Sequence, residues 1–587
     1  MNHCPRATHP ARVGPLLLLA LVAALAASTA LRLHAQAVQE APRTVLYLHG
    51  RIYTNDPQHP WAQGMGVRDG KIICVGAISQ VMLECGGGEG HAETIDLHEK
   101  FVMPGFNDAH VHLGYAAQGM LAVRLYGAAS IEELKKRLAA GVASHKPGEW
   151  IIGAGWDHTL WPEKQFPNKW ELDDVAPKNP VLLTHVSGHV AVANSLALKI
   201  AELDNNTPNP SGGEVERNAA GELTGMLKEG PAIEFVRSRI PDPTAEQRRR
   251  GITLVLADLA KNGVTSAQDN SEWEDFRAYK QLKEDGKLTV RITEWLHFTE
   301  PLNDLQNKRA EGGTTDPWLK TGALKMVTDG ALGSRTAAML EPYSDDAKST
   351  GILIMEPDKL KSLAIERDKA GFQLNFHAIG DRANRVALDV FEAVAKSNGP
   401  RDRRDRIEHA QVVAPDDLPR FAKLKVIASM QPSHQTTDMR WAESRVGPER
   451  IKGAYAWATL EKSGARLAFG TDYPVEVVSP FRGLYACVTR LPDAAGQLAG
   501  AGKLPADTPA GGWQPQEKIS LQDCISAYTS GSAYAEFEEG KKGELKPGEY
   551  ADFIILSNDL TRVPPSDYLK TEVLQTIVGG RNVFEKP

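Results

Sequence analysis

His110 and His112 stand one residue apart in Phe106-Asn-Asp-Ala-His-Val-His112. On a β-strand, side chains two residues apart point to one face. Two neutral imidazoles on one face make half of a divalent-metal site. Pro104-Gly105 interrupts whatever precedes, so the strand begins near Phe106 and its carboxyl end carries both histidines. The same pair also fits an ordinary solvated strand end. The rest of the chain has to decide between the two.

Other residues able to do chemistry close further apolar runs. Lys325 and Asp329 lie in one such run, and His377, His409 and Asp472 end three more. The elements that must position them alternate in type. After the first strand, strands are expected at Gly263–Gln268, Thr289–Phe298, Ala323–Asp329, Gln373–His377, Arg406–His409, Val426–Gln431 and Arg466–Asp472. Helical stretches such as Glu246–Lys261 and Asp381–Lys396 separate them. Eight strands alternating with helices predict an α/β fold, a (β/α)8 TIM-type barrel. An open doubly wound sheet is the alternative. Barrel active sites are built from the carboxyl ends of the strands. Four histidines, a carboxylate and a buried lysine on five strands would therefore meet on one axis.

Residues 113–262 are too long for a loop between the first two strands and predict an inserted subdomain. Short strands near Thr44–Gly76 and Val573–Phe584 predict a small β-sandwich built from both termini. The expected organisation is an export signal at 1–37, sandwich at 38–103, barrel at 104–537 and sandwich again at 538–587. Ala495 to Gln516 reads as a long Gly-, Ala- and Pro-rich loop.

The export signal rests on Arg6 and Arg12, the apolar run Leu16–Ala27 and the small-residue site Ala35-Gln-Ala37. A membrane span needs about 20 apolar residues, so no stable insertion is expected after cleavage. The mature chain would be periplasmic or extracellular. Losing Arg6, Arg12 and Arg32 takes the net charge from −7 to −10. Nothing is strongly basic, which argues against nucleic acid as a partner. The expected partner is a small-molecule substrate, and a homo-oligomer is compatible with the sequence. Cys74, Cys85, Cys487 and Cys524 form no metal-type spacing. They read as buried thiols, with Cys74 and Cys85 close enough to pair locally.

The chain resembles the amidohydrolase superfamily, and within it the amidohydrolase family 3 group. The resemblance rests on Met103-Pro-Gly-Phe-Asn-Asp-Ala-His-Val-His112, Lys325-Met-Val-Thr-Asp-Gly-Ala-Leu-Gly-Ser-Arg-Thr336 and Phe376-His-Ala-Ile-Gly-Asp-Arg-Ala383. Arg406-Ile-Glu-His-Ala-Gln411, Phe469-Gly-Thr-Asp472 and Gly543-Glu-Leu-Lys-Pro-Gly-Glu-Tyr-Ala-Asp552 extend it over nearly the whole mature chain. It implies that His110, His112 and Asp472 hold one metal, and that His377 and His409 hold a second. A carboxylated Lys325 would bridge the two. With a plain amine at Lys325, which has no lone pair when protonated, one ion is expected. Zinc is the default for a histidine-rich site.

The activity so implied is hydrolysis of a non-peptide C–N bond, in an amide or N-acyl compound, by metal-bound hydroxide. Asp472 would carry the proton from nucleophile to leaving nitrogen. Lactone or phosphotriester hydrolysis at the same metals is the alternative, and a non-catalytic metal-binding regulator is another. Four residues are candidates for contacting substrate. Arg335 could fork onto a carboxylate, Trp156 could wall an apolar pocket, and His189 and His434 could line the site.

Overall fold

The computed structural model describes, besides Met1, residues 44–86, 92–493 and 511–587. The expected export signal and most of the expected loop at 495–516 lie outside the described residues.

Eight parallel strands form one sheet: β1 (Phe106–Val111), β2 (Val264–Asp269), β3 (Arg291–His297), β4 (Leu319–Val327), β5 (Leu374–Ala378), β6 (Arg406–His409), β7 (Ile427–Met430) and β8 (Leu467–Phe469). They neighbour one another in chain order. The seam between β8 and β1 is closed by the chain just past β8. Asp472 N–H donates to His110 O at 2.8 Å, and His112 N–H donates to Tyr473 O at 2.8 Å. The sheet is thus a nearly closed (β/α)8 barrel. Its strands are buried on both faces, because side chains fill the inside and helices cover the outside.

β4 begins at Leu319, earlier than expected, because Lys320, Thr321 and Gly322 break the apolar pattern where the barrel interior is polar. Its register against β3 slips by one residue between Thr321 and Leu324. This bulge resets the alternation of faces. Lys320 and Lys325, five residues apart, therefore both reach the interior: Lys320 beside Glu536 at 3.8 Å, Lys325 beside His110 at 2.9 Å.

The helix Ala245–Lys261 starts with a capping box between Thr244 and Gln247 and buries Ile252, Val255, Leu256 and Leu259. It packs on the helix Leu113–Leu121 so closely that a Cβ on Gly251 would lie 2.5 Å from Ala117 O. The segment between β1 and β2 therefore begins and ends in barrel helices. Between them lies a six-stranded sheet in the order Glu214–Arg217, Leu223–Lys228, Val190–Ala193, Val181–His185, Ile151–Trp156, Val123–Arg124.

Both termini build a sandwich. Val45–Leu48, Gly64–Arg68, Lys71–Gly76 and Glu93–Asp96 form one sheet, and Phe101–Pro104, Phe553–Leu556 and Val573–Val578 lie in the other. Tyr47, Ile52, Val102, Phe553 and Ile577 share its core. Arg291 at the start of β3 clamps it to the barrel through a two-pronged pair with Asp552, at 2.6 and 3.0 Å.

The local pairing that the spacing of Cys74 and Cys85 allows is present, while Cys487 and Cys524 depart from the expectation of plain thiols. Cys74 is bonded to Cys85 and Cys487 to Cys524. The first pair forms because the helix Ile78–Cys85 folds back on the strand Lys71–Gly76, and the second joins the helices Pro480–Thr489 and Leu521–Ala527. Among the described residues no helix is long and apolar enough to cross a membrane.

Candidate metal centre

The carboxyl end of the barrel gathers the histidines. Strand alternation brings His110 into the interior, fully buried, and His112 sits at the rim, about a quarter exposed. His409 and Asp472 escape the alternation by left-handed backbone, with φ of 73° and 59°. Gly470 lets the β8 segment press against β1: a Cβ there would lie 2.6 Å from His110 N. Asp108 pins the same contact by accepting from Thr471 N–H at 2.8 Å and Thr471 Oγ1 at 2.6 Å.

Each ring is oriented by a partner behind it, and that partner sets the tautomer. His110 Nδ1 lies 2.8 Å from Glu408 Oε2. Burial opposes the charge on Glu408, but Arg406, then His110, hold its carboxyl down to about 2. His110 Nδ1 therefore carries the proton and Nε2 a lone pair. His112 Nδ1 donates to Asn270 O at 3.1 Å, and His377 Nε2 donates to Gly330 O at 3.2 Å. His409 Nδ1 faces Gln431 Oε1 at 2.8 Å. Four lone pairs are left over: Nε2 of His110, His112 and His409, and Nδ1 of His377. Burial, then the Lys325 charge, lowers His110 to about 4 and His377 to about 3, and burial takes His409 well below its ordinary value. These rings are neutral at neutral pH.

Asp472 closes the constellation. Its Oδ1 is 3.1 Å from His112 Nε2 and 3.6 Å from His110 Nε2, and its Oδ2 is 3.6 Å from His434 Nε2. Burial alone would raise this carboxyl, but His110, His112, His409 and His434 hold it well below the ordinary carboxylate range. Asp472 Oδ1 and His434 Nε2 are buried without a hydrogen-bond partner among the described residues. Lone pairs that face one another at such distances repel unless a cation lies between them. The ligand atoms of His110, His112 and Asp472, and those of His409, His434 and Asp472, each fall within 4.8 Å of one another. The donor set thus fits divalent metal, with His110, His112, His409, His434 and Asp472 as the residues that would hold it. His377 joins from the side, its ring centroid 4.5 Å from that of His409. Lys325 Nζ is 2.9 Å from His110 Nε2, and burial lowers its amine to about 8.

Three expected substrate contacts sit elsewhere in the local packing. Trp156 is fully buried in the insertion, donating its indole N–H to Leu183 O at 3.0 Å, so it walls no open pocket. Arg335 spends its fork on Asp345, at 3.0 and 2.9 Å. His189 is exposed and pairs with Glu229 at 3.0 Å. His434 does line the constellation. The residues behind the rings were missed. Glu408 had a signal, since Arg406 and Glu408 share a face of β6. Asn270 and Gly330 act through backbone carbonyls and had none.

The model of the amidohydrolase family matches residues 93–584. Protein LONG AFTER FAR-RED 3 from Arabidopsis thaliana is 35% identical over 92% of this chain and 91% of its own length. An N-substituted formamide deformylase from Arthrobacter pascens is 26% identical over 93% of this chain and 99% of its own. The crystal structure of an uncharacterized metal-dependent hydrolase from Pyrococcus horikoshii OT3 superposes with a TM-score of 0.70, at 31% identity, over 89% of this chain and 99% of that one. With barrel, metal-fitting constellation and motifs in agreement, this chain belongs to the amidohydrolase family.

Proposed function

We propose that this hydrolase cleaves the C–N bond of a small amide or N-acyl compound, using zinc held at the barrel mouth. The observation that carries this reading is the set of inward lone pairs around Asp472, each fixed by a partner behind its ring. The deformylase activity in the name of the Arthrobacter relative supports the bond type.

A divalent ion supplies Lewis acidity and makes water a stronger acid there. The protein's own groups do the rest. Asp472, anionic and flanked by His110, His112 and His434, takes the proton of the attacking water and passes it to the departing nitrogen. His434 Nε2, 3.6 Å from Asp472 Oδ2, is placed to share a cation with that carboxylate. Glu408 and Asn270 O keep His110 and His112 from rotating. Lys325, next to His110 Nε2, would supply an anionic oxygen ligand if its amine were carboxylated; a two-ion centre would follow from carboxylation and a one-ion centre from its absence.

The test is a parallel assay of metal-replete protein on formamides, other N-acyl amines, lactones and phosphotriesters. Turnover confined to the last two classes sinks the C–N reading. A high-resolution map of Lys325 decides the carbamate. The pairs Cys74–Cys85 and Cys487–Cys524 support an exported protein, because disulfides persist in oxidising compartments. Cell fractionation with N-terminal sequencing tests export, and a cytosolic full-length chain would defeat it.

A further inference from the structure

A second group of metal-type donors lies in the insertion and shares no residue with the barrel constellation. Asp157, His158 and His185 each offer one ligand atom, all within 4.8 Å of one another. Asp157 and His158 follow the strand Ile151–Trp156, and His185 ends the neighbouring strand Val181–His185. The two strands run parallel with Trp156 opposite His185, so the donors collect at the carboxyl edge of the pair. A bulge between Ala154 and Trp156, with Gly155 at φ 96°, turns Trp156 into the core. Its ring then forms a floor beneath His185, with centroids 4.5 Å apart, while His158 rests on Phe166 at 4.3 Å.

The nitrogens of this group are left in an unusual state. His158 Nδ1 and His185 Nε2 are both buried and have no hydrogen-bond partner among the described residues. Burying a polar atom without a partner is unfavourable. His185 Nδ1 lies 2.8 Å from Ser187 Oγ and 3.1 Å from Ser187 N. Ser187 N–H donates to Nδ1, so the ion-free ring carries its proton on Nε2; a cation at Nε2 would move that proton to Nδ1, where Ser187 Oγ can accept it. Asp157 Oδ1 is fixed by Thr159 N–H at 2.9 Å and Thr159 Oγ1 at 2.6 Å, and it lies 3.9 Å from His185 Nε2, too far for a direct hydrogen bond. An ion in that gap would give His158 Nδ1 and His185 Nε2 the partner they lack and add a contact to Asp157.

We propose that Asp157, His158 and His185 form a second divalent-metal site, of zinc type, with its fourth position open to water or to an outside ligand. Two imidazoles and one carboxylate are a common zinc donor set, and such ligands bind zinc at about 2.0–2.2 Å. Carboxyl ends of parallel strands are also where open α/β sheets place ligands.

The test uses the full chain. Metal-free protein is reloaded with zinc, and its zinc content is counted against the double variant His158→Ala with His185→Ala. The variant should hold one equivalent less than the wild type, and an equal count overturns the proposal. Crystals of the wild type soaked in zinc chloride give an answer even if the double variant does not fold. An anomalous peak at the zinc edge is expected between the three side chains, and no peak there overturns the site whether or not the barrel holds its ion.

Discussion

The two ends of the barrel interior use the same residue types to opposite effect. At the amino end, Glu536 is saturated. Its Oε1 takes Lys542 Nζ at 2.8 Å and Asn107 Nδ2 at 2.8 Å, and its Oε2 takes Thr293 Oγ1. Lys320 is shared between Glu536 and Glu538. At the carboxyl end, Asp472 is as deeply buried, yet its Oδ1 has no hydrogen-bond partner among the described residues and faces lone pairs. Polar residues inside a barrel are therefore no sign of function by themselves. What separates Glu536 from Asp472 is whether donors surround the carboxylate. A closed network stabilises the fold, and an open one awaits an ion and a substrate.

The comparison breaks most sharply at Asp472. Asp472→Asn should lower kcat by about 10²–10⁴-fold, the usual range for a lost acid–base group, while the thermal midpoint stays close to that of the wild type. Steady-state kinetics on any substrate found in the panel check this, and unchanged turnover would remove Asp472 from proton transfer. Glu536→Gln should do the reverse. Breaking a buried ion network from one side costs about 3–5 kcal/mol, read as a lower denaturant midpoint, with turnover of the remaining folded protein preserved.

Glu536 also gives the closed end a pH signature. Burial opposes its charge, but Lys542 and Lys320 hold the carboxyl down from 4.5 to about 2. A carboxyl lowered by folding contributes stability that is present above its unfolded value. That stability is lost as pH falls from about 4.5 towards 2. The gap in denaturant midpoint between wild type and Glu536→Gln should therefore be full at neutral pH and narrow across that window. A gap independent of pH would mean that Glu536 is not charged in the folded protein.

The open end was more legible in the sequence than the closed one. His110, His112, His377, His409 and Asp472 each close an apolar run, so their place at strand ends could be read directly. Glu536 lies past a short helix, Ser530–Ala535, far in sequence from the strands it plugs, and nothing local to it signals that role. The β4 bulge was equally hidden, because register depends on the neighbouring strand. Trp156 shows the limit of residue type as a guide: a tryptophan beside a glycine bulge serves the insertion's core. The export signal and most of the 495–516 loop fall on residues outside those described.

Between the two ends stands Glu408, tied to Arg406 on one side and His110 on the other. Glu408→Gln keeps the shape but no longer fixes the His110 tautomer. Loss of a partner behind a metal-binding histidine typically weakens metal affinity by 10–100-fold. Zinc competition with a chelator should show a loss in that range, with kcat falling at limiting metal and recovering in excess. If affinity is unchanged and only stability drops, Glu408 belongs to the closed network.

Gln431 gives the finest cut. Its amide oxygen is the partner of His409 Nδ1, and its Nε2 is buried without a partner among the described residues. It contributes one neutral hydrogen bond where Glu408 contributes a charged one, and charged bonds are about twice as strong. Gln431→Ala should therefore weaken metal affinity by about tenfold, the low end of the range for such partners. Gln431→Glu, which restores a strong acceptor, should recover most of that loss. A loss as large as that of Glu408→Gln would show that His409, not His110, anchors the centre.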